Sequence, residues 1–284
     1  MSDSGIRPGP PLPGRDDWDE HWDRFAEAAS RNPAQRMRHS IVARLLLQGA
    51  RGSAVRVLDL GSGQGDLALK LRGLLPGASL LGLELSESGV EISRKKVPGA
   101  EFLVADLFHP PGGLSAYAGW ATDAVCSEVL EHVDSPVEFL RMARPYLADW
   151  ARLIVTVPGG PMSAFDRHIG HRRHFTRESI RRVLEEAGFG VERIYLSGFP
   201  FFNLYRGLVI ARGEKLATDI QTGQRGFSAR LADAAMAVFR GLFRFNLMDS
   251  PLGWQVVAVG RKPASRVTPP PATAGPPAPG SGRG

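Results

Sequence analysis

The chain has 284 residues, 43% hydrophobic and 23% charged, a size and balance that allow one substantial buried core and at most a modest accessory element. Its net charge of +6 comes from arginines spread along the sequence, without a long Lys/Arg block or an aromatic-basic motif, so nucleic acid is not an expected partner. A single cysteine, Cys126, excludes an intramolecular disulfide framework and fits a reducing compartment. The first residues lack the charged-then-apolar pattern of a secretory signal and no window is long enough to span a bilayer, so a cytoplasmic location is expected.

Residues 1–14 are rich in Pro, Gly and Ser, and the tail from Pro263 to Gly284 is richer still in Pro, Ala and Gly; both are expected to be disordered. Over residues 15–50, Trp18, Trp22 and Phe25, then Ile41, Leu45 and Leu46, recur at helical spacing. Asp16 and Asp17 suit the first turn, and the pattern predicts two helices broken near Asn32-Pro33. From Val55 short apolar runs alternate with helical stretches: Val55–Leu60, Ser79–Glu84, Glu101–Ala105, Ala124–Ser127 and Leu153–Val157. A loop with three histidines, a helix at Arg177–Ala187 and strands at Val191–Leu196 and Gln255–Gly260 follow. This predicts an α/β domain over residues 51–262, a mostly parallel seven-stranded sheet with helices on both faces, interrupted by an insertion at residues 199–251. Ligands of such sheets bind at the carboxyl ends of the strands, near the switch in strand order.

The first strand breaks at Asp59 into Gly61, Gly63 and Gly65, spaced two apart, and re-enters a helical pattern at Asp66. Glycines there let a small molecule lie against the main chain at a helix N-terminus. A dinucleotide fingerprint would put its third glycine where Asp66 stands, which argues against a nicotinamide dehydrogenase. At the ends of the next strands, Glu84 offers a carboxylate for both ribose hydroxyls and Asp106 one for an adenine amino group, with Leu107 as an apolar wall, while Asp59 suits an ammonium. The D-x-G-x-G-x-G run resembles motif I of class I S-adenosylmethionine-dependent methyltransferases, and the resemblance extends from about Val55 to Val157. It implies a Rossmann-like fold and an S-adenosylmethionine site built from Asp59, Gly61, Ser62, Gly63, Gly65, Glu84, Leu85, Asp106, Leu107 and Glu128, with S-adenosylhomocysteine as product.

The segment Cys126-Ser-Glu-Val-Leu-Glu-His-Val-Asp-Ser-Pro136 resembles the motif after strand four in ubiquinone-biosynthesis O-methyltransferases and their small-molecule relatives. The resemblance places Glu128, Glu131 and His132 on the rim where the transferred methyl points. It leaves two roles open: His132 as general base toward a hydroxyl, or Glu128, Glu131 and His132 as holders of a divalent cation. Two carboxylates and an imidazole within five residues are chemically adequate ligands, but a Glu-His pair at a strand-to-helix turn often serves only as a helix cap or loop brace, and the metal-free role is the preferred one. In Asp166-Arg-His-Ile-Gly-His-Arg-Arg-His-Phe175, His168, His171 and His174 are three apart, and Gly170 with the Pro/Gly turn predicts a loop rather than a helix. Related small-molecule methyltransferases carry a Gly-His segment here, facing the acceptor, which makes His171 and then His168 further candidate bases. Thr176 is the expected N-cap of the next helix, with Ser179 at the capping-box position.

In the insertion, Gly198-Phe-Pro-Phe-Phe-Asn-Leu-Tyr205 is unusually aromatic for a connection. Farther on, Leu231, Ala235, Val238, Phe239, Leu242 and Phe245 share one helical face, opposite Asp233, Arg240 and Arg244. A lid, a dimer contact and a membrane-surface helix all fit, although two arginines carry too little charge for the last. The expected activity is methyl transfer to a small, partly apolar acceptor, with oxygen the leading atom and a secondary-metabolite or quinone-like pathway the leading setting. Nitrogen or carbon acceptors and a noncatalytic cofactor-binding regulator are the alternatives, on a monomer or homodimer.

Overall fold

The computed structural model describes residues 18, 19, 22, 30–49, 54–212 and 227–265. The expected first-turn acids Asp16 and Asp17, Phe25, and both terminal segments except Pro263 to Ser265 lie outside them. Ser265, in the expected tail, donates its hydroxyl to Asp149 Oδ1 at 2.9 Å.

Trp18, Asp19 and Trp22 are helical. Helix α1, Pro33–Gly49, starts where the sequence breaks. The Asn32 side chain accepts from the Ala34 N–H at 2.9 Å, and Pro33, which has no N–H to satisfy, opens the first turn. Five strands and three helices then follow: β1 Arg56–Leu60, α2 Asp66–Leu74, β2 Ser79–Glu84, α3 Glu87–Lys96, β3 Glu101–Val104, β4 Ala121–Ser127, α4 Pro136–Ala143 and β5 Leu147–Pro158. After them come α5 Ala164–His168, α6 Arg177–Glu186, β6 Gly190–Ser197, α7 Phe201–Arg212, α8 Phe227–Leu242 and β7 Gln255–Arg261. The seven strands form one sheet in the order β3-β2-β1-β4-β5-β7-β6, with β7 antiparallel to both neighbours. The order reverses between β1 and β4, so the carboxyl ends of these two strands flank a crevice.

Period-two alternation along the strands divides the core between the two sheet faces. Leu58, Leu60, Leu81, Leu83, Cys126 and Val155 pack with Leu140 of α4 and Ile180 and Leu184 of α6. Val57, Val125, Ile154 and Val257 pack with Leu46 of α1, Leu71 of α2 and Val90 of α3. A third cluster joins Ala34 and Met37 of α1 to Phe202 of α7 and to Phe243, so the insertion is seated on the helix that precedes the sheet.

Four elements differ from the sequence expectation. β5 begins at Leu147 rather than Leu153, and β4 at Ala121; the early part of β5 carries Asp149 and an exposed Trp150 with φ of 63°, which hides the strand from an apolar pattern. The histidine loop contains α5, a single turn with Ser163 and Asp166 forming a capping box. The capping box of Thr176 and Ser179 forms as expected. The buried face of the last insertion helix is rotated: Val238 and Phe245 are 60% and 67% exposed, while Phe239 and Phe243 stack on Tyr205. A 3₁₀ turn at Phe243–Phe245 breaks the 3.6-residue period that predicted the other face. Arg240 and Arg244 are exposed, while the side chains of Leu231 and Asp233 lie outside the described set.

The C-terminal end of α1 is tied to the sheet by a buried guanidinium. Arg152 bonds to Asp123 Oδ1 through Nε at 2.8 Å and to the carbonyls of Leu45 and Leu46 at 3.1 and 3.2 Å. Asp123→Ala leaves that charge buried without its carboxylate and is expected to cost about 3 kcal/mol in a urea unfolding curve, against a smaller loss for the uncharged replacement of both partners.

Candidate active site

The glycine turn after β1 is the centre of the crevice. Gly61, Gly63 and Gly65 have φ of 72°, 54° and 77°, the left-handed region in which a side chain is strained. Each also faces a different element: a Cβ on Gly61 would lie 2.5 Å from Val129, on Gly63 2.7 Å from Trp22, and on Gly65 2.9 Å from the Ser93 hydroxyl. The glycines therefore serve packing as well as backbone conformation.

Glu84, at the end of β2, is buried and ties the second strand to this turn. Its Oε2 accepts the Gly63 N–H at 2.7 Å, and Oε1 accepts those of Leu85 and Ser86 at 3.0 and 3.1 Å. Three of about four acceptor positions on the carboxylate are engaged by backbone, a bracing role the sequence reading missed although a strand-end acid opposite a glycine turn signals it. Desolvation raises the Glu84 pKa against the lowering by these N–H groups. Asp59, buried on β1, is pushed up to about 7 by desolvation and then by Glu84. Ser62 is buried with no hydrogen-bond partner for its hydroxyl among the described residues. Asp106 lies beyond β3 in a tight turn, where Oδ1 accepts the Phe108 N–H at 3.0 Å and Oδ2 is 3.3 Å from His109 Nδ1. Leu107 is buried, whereas Leu85 is 36% exposed.

The N-terminal helical residues lie across this crevice. Asp19 accepts from the Ser86 hydroxyl at 2.5 Å and the Ser88 N–H at 3.1 Å, Trp22 covers Gly63, and the Trp18 ring meets His132 edge-on at 4.9 Å. One helical face thus touches the ends of both β2 and β4.

After β4 the acid-histidine segment splits. Glu128 adopts φ of 57° and points its carboxylate into the structure, where Oε1 accepts from Thr156 and Gln255 at 3.1 and 3.0 Å and Oε2 lies 3.5 Å from Arg38 Nε. That engagement does not fit Glu128 to a cation shared with Glu131 and His132. Instead Glu131, His132 and His171 bring one polar atom each within 4.8 Å of one another, and the rings of His132 and His171 meet at 4.8 Å and 89°. Glu131 is fully buried and neither of its oxygens has a hydrogen-bond partner among the described residues; desolvation, then Glu128, raises its pKa far above the usual carboxylate range. Burial, then His132, lowers His171 to about 3, so it is neutral at pH 7.

His171 continues to His174, Nδ1 to Nε2 at 3.3 Å, and His174 to the buried Asp166, Nε2 to Oδ2 at 3.8 Å. His174, which the sequence reading passed over in favour of His168, takes the inner position; His168 ends α5 exposed and outside both groups. The three-residue spacing that suggested a cluster spans the end of α5 and a loop, so only two of the three histidines turn inward.

The strand order, the glycine turn and the strand-end acids are those of a class I S-adenosylmethionine-dependent methyltransferase. A methyltransferase-domain family model matches residues 23–194, and the chain belongs to that family. Over 91 residues it is 33% identical to trans-aconitate 2-methyltransferase of Paracidovorax citrulli (strain AAC00-1), a stretch that spans 32% of each protein. Among solved structures it is similar to the [4+2]-cyclase SpnF, with a TM-score of 0.56 at 17% identity over 91% of this chain and 100% of that one. It is also similar to geranyl diphosphate methyltransferase solved with GPP and sinefungin, with a TM-score of 0.53 at 15% identity over 78% of each chain. These structural likenesses show the fold.

The raised Asp59 makes a prediction for the ligand-free protein. Its folded pKa of about 7 exceeds the unfolded value of about 3.9, so the folded state holds the extra proton between them and stability falls as pH rises through that window. Asp59→Asn is expected to flatten the loss and to raise stability at pH 8 by on the order of 3 kcal/mol, read from denaturation curves at pH 5 and pH 8.

Proposed function

We propose that this methyltransferase transfers a methyl group to a hydroxyl or phenol oxygen of a small, partly apolar acceptor. The observation that carries the reading is the meeting of two half-buried imidazoles, His132 and His171, with the buried acid Glu131, whose oxygens have no hydrogen-bond partner among the described residues. A buried polar group without a partner is costly, and one grouped with two imidazoles at a crevice suits the polar end of an acceptor. The small-molecule acceptor is supported by the names of two similar proteins, which act on trans-aconitate and geranyl diphosphate.

S-adenosylmethionine, when bound, supplies an electrophilic methyl on a sulfonium sulfur. The chain is suited to hold it through Gly61, Ser62, Gly63 and Gly65 at the turn, Glu84 and Leu85 at the ribose, Asp106 and Leu107 at the adenine, and Asp59 at the amino acid ammonium. The left-handed turn suits close approach of a ligand and the buried Asp59 suits an ammonium, while Glu84, with three of about four acceptor positions taken by backbone N–H groups, has room for one ribose hydroxyl rather than the two expected from the sequence. Glu128 serves the cofactor indirectly, by fixing the turn after β4. His132, with His171 behind it, takes the proton of the attacking hydroxyl as the oxygen–methyl bond forms and the sulfur–methyl bond breaks onto sulfur. Burial and then His132 hold His171 as a neutral imidazole at pH 7, with a lone pair to offer behind His132. No step is assigned to a metal: Glu128 is held by Thr156, Gln255 and Arg38, and whether Glu131, His132 and His171, whose polar atoms converge, hold a cation is read by the chelator test below. Residues 15–50 and the insertion at residues 199–251 are assigned to the acceptor side, as cap and lid. Among the described residues no helix is long and apolar enough to cross a membrane.

The test begins with calorimetric titration of S-adenosylhomocysteine, which is expected to bind the protein and to bind Glu84→Ala and Asp106→Ala at least tenfold more weakly. Acceptor screening with methyl-labelled S-adenosylmethionine follows. The combined His132→Ala and His171→Ala variant is expected to keep S-adenosylhomocysteine affinity within about twofold and to lose about 100-fold or more in turnover. Full turnover in that variant, or label on nitrogen or carbon, defeats the oxygen reading; no transfer to any acceptor favours a noncatalytic binder. Turnover is expected to survive a chelator, and a chelator-induced loss restored by added magnesium or zinc would overturn the metal-free mechanism.

A further inference from the structure

Arg206 lies on α7, within the insertion and beyond residues 23–194 that the family model matches, yet it reaches the histidine cluster. Its Nη2 donates to both oxygens of Asp166, at 3.0 and 2.9 Å. Asp166 Oδ2 also accepts the Ser163 N–H and hydroxyl, each at 2.8 Å. Asp166 is 0% exposed, so it is a fully enclosed carboxylate whose charge is answered by one guanidinium from another part of the chain.

The hydrogen-bond directions beyond Asp166 follow from one carbonyl. His174 Nδ1 lies 3.2 Å from the Gly160 carbonyl oxygen, which only accepts, so Nδ1 carries the proton. Neutral His174 therefore has its lone pair on Nε2, and the partner 3.3 Å away, His171 Nδ1, is the donor. With its proton on Nδ1, His171 carries its lone pair on Nε2, the form required of a base. The weak point of the chain is His174 Nε2, which is 3.8 Å from Asp166 Oδ2. A bare carboxylate there would draw a proton onto Nε2, and a protonated Nε2 repels the Nδ1–H of His171.

We propose that Arg206 is a positioning residue which, by neutralising Asp166, keeps His174 in the neutral Nδ1–H tautomer and so sets the tautomer of His171. The proposal rests on the reading of His132 and His171 as the proton-accepting pair. The charged and titratable groups around the two inner histidines agree with it. Burial is the largest influence against the proton on both; Asp166 and Glu128 favour the proton on His174 and Arg206 opposes it, while on His171 the opposition of His132, His174 and Arg206 works against Asp166. Glu131, held as the neutral acid by desolvation, adds no charge to this balance. The insertion would thereby report its seating on the fold to the site, through a residue that touches neither cofactor nor acceptor.

Long-range proton–nitrogen spectra of histidine-labelled protein at pH 7, with His171→Gln and His174→Gln for assignment, read these tautomers without any acceptor. The intact protein is expected to show both residues neutral and protonated on Nδ1. Arg206→Ala is expected to show His174 doubly protonated and His171 displaced from its Nδ1–H form. Arg206→Lys is expected to restore the intact pattern, and so is the combination of Arg206→Ala with Asp166→Asn, which removes the bare charge instead of answering it. Unchanged tautomers in Arg206→Ala overturn the proposal. A pattern that stays altered in the combined variant, with S-adenosylhomocysteine binding retained, also overturns it by showing a packing effect. If the tautomers behave as stated while His132 and His171 prove dispensable for turnover, the base reading fails and the positioning result stands.

Discussion

The structure depends on three residues without side chains standing where three elements converge. The turn after β1 has left-handed backbone at Gly61, Gly63 and Gly65, and each missing Cβ admits a different neighbour: Val129 after β4, Trp22 from the N-terminal helical residues, Ser93 of α3. The Gly63 N–H is then available to Glu84 at the end of β2. A single substitution there would strain the backbone and push on one of these contacts at once, because packed interiors give by only tenths of an ångström. The crevice at the strand-order reversal is therefore held from both sides by the turn that also forms its floor.

Within the sheet and its loops the protein buries several carboxyl groups, and handles them in different ways. Asp123 and Asp166 are each paired with a guanidinium, Arg152 and Arg206. Asp59 and Glu131 have no such partner, and desolvation drives both toward the neutral acid. Glu84 is intermediate, with three backbone N–H groups working against its burial. The paired acids join separate parts of the chain, whereas the unpaired ones face the crevice. That division is the electrostatic signature expected where ligand charges are to be met by groups held ready in the protein.

The sheet was legible in the sequence because its strands, buried on both faces, are continuous apolar runs separated by helix-period segments. Six of the seven are bounded to within about three residues, and the early part of β5 escaped because Asp149 and Trp150 interrupt the run. The glycine turn was legible because its spacing is local. What was not legible is direction: Glu128 and Glu131 are three residues apart in one motif, and only the left-handed backbone at Glu128 turns the first inward to Thr156 and leaves the second facing His132. The choice of His174 over His168 has the same origin, since the α5 turn ends between them. Periodicity alone placed Val238 and Phe245 on the buried face of α8, and a 3₁₀ turn moved Phe243 there instead.

The family match ends at residue 194, before the insertion, yet the insertion is joined to the molecule at two chemically distinct places. An aromatic cluster of Phe202, Tyr205, Phe239 and Phe243 seats it on Met37 and Ala34 of α1, a contact that apolar burial alone can maintain and that tolerates exchange of one apolar residue for another. Arg206 joins it to Asp166 through a buried charge pair, which tolerates no such exchange, because either partner left alone is an uncompensated charge. The aromatic contact is undirected, while the charge pair joins the insertion to the histidine chain with a fixed donor direction. The charge pair, unlike the aromatic contact, links the seating of the insertion to a carboxylate 3.8 Å from His174, which is why the proposed control of the histidine tautomers runs through Arg206 and not through the apolar contact.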